Sequence, residues 1–517
     1  MISKGQHENS DRVDICLLLE GTWPYVRGGV STWVHQILTA LPDLRFSVVY
    51  LGAEKRLAGE CKYEIPGNVA SIRELFLFEP AGEEDRSGAI SSKKLDKLLA
   101  GFEALVSRHG EAGKDAEVAR LLADAADLAG GAGFESFWRH PLTWDRLAAF
   151  YRGRFPGVSF SDFFWNVRFL LQPVWRLLRF RDQLPGAAVY HSVSTGYAGL
   201  LGAMAGGRPG STFLLSEHGI YVRERIAELL RLEWAAGGPG GGPEGVSPLR
   251  RLWMDFFVEA GRFAYHSADA IVSLFQKNAA YQAEFGAPPD RIGVIPNGIA
   301  IDRYRAVRQT RADKRRENPG RRNVGFFGRV VAIKDVKTLL RAARRVVRDC
   351  PDARFYLVGP TEEEPGYFAE CRRLLDELGL QERVMFTGPA APEQALPEFD
   401  LMVLSSVSEG LPFSLLEAFG AGMPVVATAV GACPELIEGH PGEQPALGSA
   451  GRVVPVADSG ALAAAILELL GDRDLQDRLG AAGIARLERH YQEDAVIAQY
   501  RRLYQKLAEP AAAPAAA

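Results

Sequence analysis

Cysteine is scarce: the 517 residues contain five, Cys16, Cys61, Cys350, Cys371 and Cys433, and none belongs to a CxxC pair. An odd, dispersed set like this excludes a disulfide framework or a zinc site as the organising device and fits a reducing compartment. No uninterrupted apolar run approaches the ~20 residues that span a bilayer. The polar N-terminus, residues 1–11, lacks the apolar centre of a secretory signal. There is no excess of positive charge either. A formal net charge of −4 argues against a nucleic-acid-binding surface as the main function. No fixed-period repeat is present. What remains is an ordinary globular composition, 47% apolar and 24% charged, at a length too great for one core.

Buried-strand signals punctuate the chain. Val13–Leu19, Phe46–Gly52, Val189–Ser192, Ser211–Glu217, Ala270–Leu274 and Ile292–Ile295 read as apolar strands followed by loops in the first half. A helix is expected from near Ser31, with Ser31 as its N-cap. Val324–Phe327, Ala353–Val358, Val384–Gly388, Leu401–Ser405, Pro424–Thr428 and Gly451–Pro455 repeat the pattern in the second half. The expected fold class is α/β: two Rossmann-like domains with a cleft between them, ligands lying at the carboxyl ends of the strands. The first domain is placed at 1–302, with a helical insertion at about 75–185 where Leu and Ala recur at helical spacing. The basic stretch 303–322 reads as a linker and 323–490 as the second domain. A helix at 491–509 has apolar spacing suited to packing back on the first domain. The glycine-rich stretch 237–245 and the Pro/Ala tail 510–517 are expected to be disordered.

Three segments carry the chemistry. Glu409 and Glu417 stand eight residues apart, with Gly410, Leu411, Pro412 and Phe413 between them. Pro412 suits a helix start, which places Glu409 in the preceding loop and Glu417 about one and a half turns into the helix. Glu417 can then accept two ribose hydroxyls and Glu409 sugar hydroxyls, while the first helical amides meet a phosphate or the sugar. The alternative is a pair of solvated charges; the apolar neighbours Leu415, Leu416, Ala418 and Phe419 speak against that. Arg329 and Lys334 are five apart in a loop that follows a strand and precedes a helix near Val336. Both can reach one anion, as a departing nucleoside diphosphate requires, or both can be solvated on a surface turn. Gly28 and Gly29, after the first strand, let a backbone approach a ligand or form an ordinary tight turn. His218 follows an apolar strand and precedes a glycine and a polar segment, so it is the better histidine to line a cleft; His191 reads as structural. The role of Glu217 is open.

The segment from about Val324 to Val456 resembles the retaining glycosyltransferases of the GT-B fold, family 4. The opening Leu19–His35 resembles a narrower subgroup, the PelF glycosyltransferases of Pel exopolysaccharide (biofilm) synthesis, which the helical insertion also fits. The resemblance implies two Rossmann-like domains with the nucleotide mostly on the second. It implies hexose transfer with retention, without an obligatory metal or other cofactor, from a UDP-sugar (UDP-glucose or an N-acetylhexosamine nucleotide) to a polysaccharide acceptor. By analogy Arg329 and Lys334 hold the diphosphate and Glu417 the ribose. Glu409 and the amides of Gly410 to Phe413 position the sugar. Gly28 and Gly29 approach phosphates or acceptor, and His218 contacts the donor sugar. A departing phosphate that assists the incoming hydroxyl needs no protein nucleophile, and no Ser/His/Asp set is evident. Many relatives have Gly-Phe-Gly after the first glutamate; Pro412 here removes one backbone donor. The implied location is cytoplasmic, with recruitment to the inner membrane by membrane-embedded synthase subunits and no nucleic-acid partner. Two rivals are a partner-dependent or non-catalytic sugar-nucleotide-binding subunit and a GT-B epimerase. A phosphorylase would need a pyridoxal-lysine motif, which is not seen.

Overall fold

The structure, a computed structural model, describes residues 12–55, 60–79, 88, 90–107, 125, 132–231, 246–440 and 442–509. The polar N-terminus, the glycine-rich stretch 237–245, the tail 510–517 and parts of the helical insertion lie outside the described residues.

The chain forms two compact units. The first comprises Met1–Ser273, Asn278–Val294 and Tyr500–Ala517, and the second Leu274–Lys277 and Ile295–Gln499. Seven parallel strands build the first sheet: β1 Val13–Glu20, β2 Phe46–Gly52, β3 Val69–Phe76, β4 Ala187–Ser192, β5 Thr212–Glu217, β6 Ala270–Ser273 and β7 Ile292–Val294, in the order β3-β2-β1-β4-β5-β6-β7. Six parallel strands build the second: β8 Asn323–Phe327, β9 Arg354–Val358, β10 Val384–Gly388, β11 Leu401–Leu404, β12 Val425–Thr428 and β13 Gly451–Val454, in the order β10-β9-β8-β11-β12-β13. The central strands are near-continuous apolar runs because helices cover both faces of such sheets. Every residue of β2 and of β11 is buried. A fully buried Leu or Val contributes roughly 1.5–3 kcal/mol, so runs of this kind fix the strand positions.

The covering helices follow the same logic. In Val336–Asp349 the buried set is Val336, Thr338, Leu339, Leu340, Ala342, Ala343 and Val346, one stripe at helical period, with arginines opposite. The insertion between β3 and β4 places Ser92–Ser107, Phe134–Trp138, Pro141–Arg154 and Phe160–Phe180 as helices. Their core is aromatic: Trp175 stacks on Phe137 at 4.5 Å between ring centroids.

Two expectations need correction. The basic stretch 303–322 is not a linker. Arg305–Glu317 is a helix within the second unit, whose main segment begins at Ile295 rather than at 323. Arg311 on that helix is buried and donates to the carbonyls of Phe399 at 3.0 Å, Gly422 at 3.0 Å and Asp400 at 2.7 Å. A guanidinium has five donors, enough to satisfy several strand-end carbonyls at once, so a basic residue here serves packing, not solvation. Burial pushes Arg311 down to about 9. Val69–Phe76, an edge strand paired to β2, is one the expected set of strands lacks, and the helical insertion follows it. The first helix starts at Gly29 with extended Gly28 as its N-cap, and Ser31 is buried inside it.

The last helix, Glu493–Ala508, contributes its final turns to the first unit. Tyr500 and Tyr504 are buried there, and Thr212 Oγ1 at the start of β5 donates to the Leu507 carbonyl at 3.1 Å.

Candidate functional site

In the second unit the loops after β8, β11 and β12 meet at the carboxyl ends of neighbouring strands. After β8, the Gly328 amide donates to the Val358 carbonyl and the Val330 amide to the Pro360 carbonyl, both at 2.9 Å. The chain then makes one 3-10 turn, Ala332–Lys334. Asp335 is left-handed, with φ 42°, and its carboxylate accepts from the Thr338 amide at 3.3 Å, which caps the next helix. Aspartate is one of the few residues with a side chain that tolerate this conformation. Two contacts tie the turn to the loop after β11. Ser405 Oγ donates to the Lys334 carbonyl, and the Val407 amide to the Ile333 carbonyl, each at 2.9 Å.

These ties bring Lys334 and Glu409 together. Lys334 Nζ lies 2.5 Å from Glu409 Oε1, which also accepts from Ser406 Oγ at 2.5 Å. The two side chains are only 16% and 10% exposed, so little water screens the pair. Arg329 is not part of it. It is half-exposed and pairs with Glu363 in the loop after β9, while the Ala332 amide donates to Glu364 at 2.9 Å.

Gly431 and Asn297, which the sequence reading did not single out, hold Glu409 and its neighbours. The Ala432 amide donates to the Gly410 carbonyl at 2.9 Å. Gly431 has φ +52°, and a Cβ there would lie 2.3 Å from the carbonyl oxygens of both Glu409 and Gly410. Asn297 is buried and donates to the Leu411 carbonyl at 2.9 Å. The available signals were a glycine three residues beyond β12 and an Asn-Gly pair after β7; neither points to Glu409 locally. Gly431→Ala is therefore expected to destabilise the second unit by about 2–4 kcal/mol, from clash and left-handed strain together. Urea denaturation measures this, and a midpoint equal to the parent's would refute the packing role.

Pro412 is the N-cap of the helix Phe413–Gly420, with Leu415, Leu416, Ala418 and Phe419 buried. Leu411 and Pro412 are buried too, whereas Phe413 and Gly410 are partly exposed. Glu417 is half-buried on this helix. Burial, and next the Glu393 carboxylate, push it up to about 7, against the opposing effects of Arg303 and a hydrogen bond from Tyr304. Near neutral pH it therefore carries its proton for much of the time. Among the described residues no three His, Cys, Asp or Glu side chains converge as a metal-binding group.

The first unit holds the other residues singled out. Gly28 is extended, and a Cβ there would meet nothing within 4 Å, so nothing inside the unit requires glycine at this position. Gly29 is exposed at the first turn of its helix, which has no side-chain cap. His218 is 9% exposed, just beyond β5, and burial pushes it down to about 4. Glu217 is fully buried. It accepts from Thr195 at 3.0 Å, Gln282 at 3.1 Å and Tyr265 at 2.5 Å, a structural network. His191 is bonded on both nitrogens, as a structural histidine should be.

Residues 13–290 match the family described as a domain of unknown function (DUF3492), and residues 321–472 match glycosyl transferases group 1. The chain is similar to D-inositol 3-phosphate glycosyltransferase of Nocardia farcinica, 32% identical over 264 residues, 48% of this chain and 54% of that one. It is also similar to N-acetyl-alpha-D-glucosaminyl L-malate synthase of Bacillus anthracis, 29% identical over 173 residues, 33% of this chain and 42% of that one. The chain thus spans about half the length of these curated relatives. Among solved structures, Anabaena HepE in complex with UDP and glucose aligns with TM-score 0.58 at 16% identity, over 95% of this chain and 99% of that chain. Sucrose-phosphate synthase from Thermosynechococcus elongatus aligns with TM-score 0.59 at 18% identity, over 96% and 99%. At these identities the likeness is one of fold, the GT-B class with its two parallel sheets.

Proposed function

The chain belongs to the family described as a domain of unknown function (DUF3492), and from that membership, joined to its group 1 glycosyl transferase segment, we propose that it transfers a hexose from a UDP-sugar to a growing exopolysaccharide of the Pel type. The observation that carries the reading is the sheltered Lys334–Glu409 pair at the carboxyl ends of β8 and β11, with Glu417 one helix onward. An ammonium held in a poorly screened loop favours a diphosphate, both bound and departing. The reading assigns the sugar hydroxyls to Glu409, the ribose to Glu417 and a further phosphate contact to Arg329 once it leaves Glu363. Gly28, Gly29 and His218 serve the donor sugar and acceptor from the first unit. Uridine is supported by HepE, solved with UDP and glucose.

In this reaction the bond between the anomeric carbon and the phosphate oxygen breaks, and the acceptor oxygen bonds to that carbon on the same face. The acceptor proton passes to a phosphate oxygen of the leaving UDP. Transfer to the same face is retention, and the transfer is proposed to need no metal because cationic side chains stabilise the departing charge. The setting is proposed to be cytoplasmic, beside membrane-embedded synthase subunits. Among the described residues no helix is long and apolar enough to cross a membrane.

The test is calorimetric titration with UDP, GDP, ADP, UDP-glucose and UDP-N-acetylglucosamine, with and without chelator. UDP is expected to bind at least tenfold tighter than the other diphosphates, unchanged by chelator. Preference for another base overturns the uridine assignment, and chelator sensitivity overturns the metal-free one. Failure of every nucleotide to bind would favour a partner-dependent subunit.

A further inference from the structure

His218 does not hold itself in place. Its Nε2 is buried without a hydrogen-bond partner, so packing sets the ring's orientation. The ring meets that of Trp33 edge-on, 4.8 Å between centroids. Trp33 in turn meets His191 at 5.6 Å and Tyr500 at 5.2 Å, again edge-on. His191 is the fixed member of this cluster. Its Nδ1 lies 2.7 Å from the Tyr504 hydroxyl and its Nε2 2.6 Å from the Ser216 hydroxyl. Ser216 stands two residues before His218, at the end of β5. Burial pushes His191 down to about 3, so its ring is neutral, one nitrogen donating and the other accepting.

A core position needs no imidazole merely to fill space. An apolar side chain would do so without desolvating two ring nitrogens. What the imidazole adds is direction: a ring flip would place carbon where each hydroxyl now bonds, so only one orientation keeps both bonds.

We propose that His191, gripped by Tyr504 and Ser216, is a positioning residue for His218, fixing the angle of its ring through Trp33 and through the end of β5. This rests on the reading of His218 as a donor-sugar contact. It adds that the last turns of the chain's final helix set that contact's geometry. Tyr504 and Tyr500, far from the loop in sequence, are then part of what makes the site work.

Tyr504→Phe and Ser216→Ala each remove one of His191's two partners with little change in shape. Both are to be compared with the parent chain in three measurements: UDP affinity by calorimetry, steady-state consumption of UDP-glucose and UDP-N-acetylglucosamine, and the ring-nitrogen NMR signals of His218, assigned by their loss in His218→Gln. Each variant is expected to lower kcat by 5- to 20-fold, to keep UDP affinity within twofold and to displace the His218 signals. Unmoved His218 signals with unchanged kcat in both variants would overturn the proposal. A parallel fall of UDP affinity and kcat would also overturn it, since general loosening of the fold gives that pattern. If the parent neither binds UDP nor consumes either donor, the donor-sugar reading fails, and the His218 signals alone still decide the positioning claim.

Discussion

Lys334→Ala is expected to weaken UDP binding by about 30- to 300-fold, roughly 2–3.5 kcal/mol, while the fold persists. The magnitude follows from position. A charge-assisted hydrogen bond in a poorly screened loop exceeds a surface pair, which contributes about 0–1 kcal/mol. Truncation also leaves the Glu409 carboxylate, 10% exposed, without its counter-charge, and an uncompensated carboxylate beside the binding site repels the incoming diphosphate. The fold should survive because the turn is held by backbone groups: the Lys334 carbonyl accepts from Ser405, and the Ile333 carbonyl from Val407. Titration calorimetry reads the affinity and thermal unfolding the fold. Affinity within threefold of the parent would remove Lys334 from the diphosphate site.

Glu409→Ala should separate the sugar from the nucleotide. In the structure Glu409 occupies the ammonium that a diphosphate would use, 2.5 Å away. Removing it removes a competitor, so bare UDP is expected to bind within threefold of the parent or more tightly. The UDP-hexose loses its hydroxyl acceptor, and its affinity relative to UDP should fall 10- to 100-fold, with turnover falling at least 100-fold, as loss of a positioned charged hydrogen bond predicts. Equal changes for UDP and UDP-hexose would contradict a sugar contact.

How much of this was legible in the residues depends on how local each cause is. Parallel strands announce themselves, because burial on both faces demands apolar runs, and β1, β2, β8 and β11 were plain. So was the position of Lys334 and Glu409 in loops at the strands' carboxyl ends. Edge strand β3 was hidden, since a half-exposed strand mixes Arg73 and Glu74 with its apolar residues. The helix Arg305–Glu317 was hidden by its charge: basic composition reads as solvated until Arg311 is seen satisfying three carbonyls. Arg329 and Lys334 looked like one anion clamp from their spacing. Their different carboxylate partners lie 34 and 75 residues away, beyond what spacing reveals. Gly431, Asn297 and Trp33 act on residues distant in sequence, two of them through backbone carbonyls, and leave no local signature.

The grip of Tyr504 on His191 also bears on how the protein is made. The two residues are 313 positions apart, and the first unit needs both. At ribosomal rates of ~5–20 residues per second, about 15–60 s separate their synthesis. During that interval the segments of the second unit are made, the last of them ending at Gln499, and Tyr500 and Tyr504 follow only then. The first unit begins first and finishes last, so a nascent chain stalled before Tyr500 should display an unfinished first unit to chaperones.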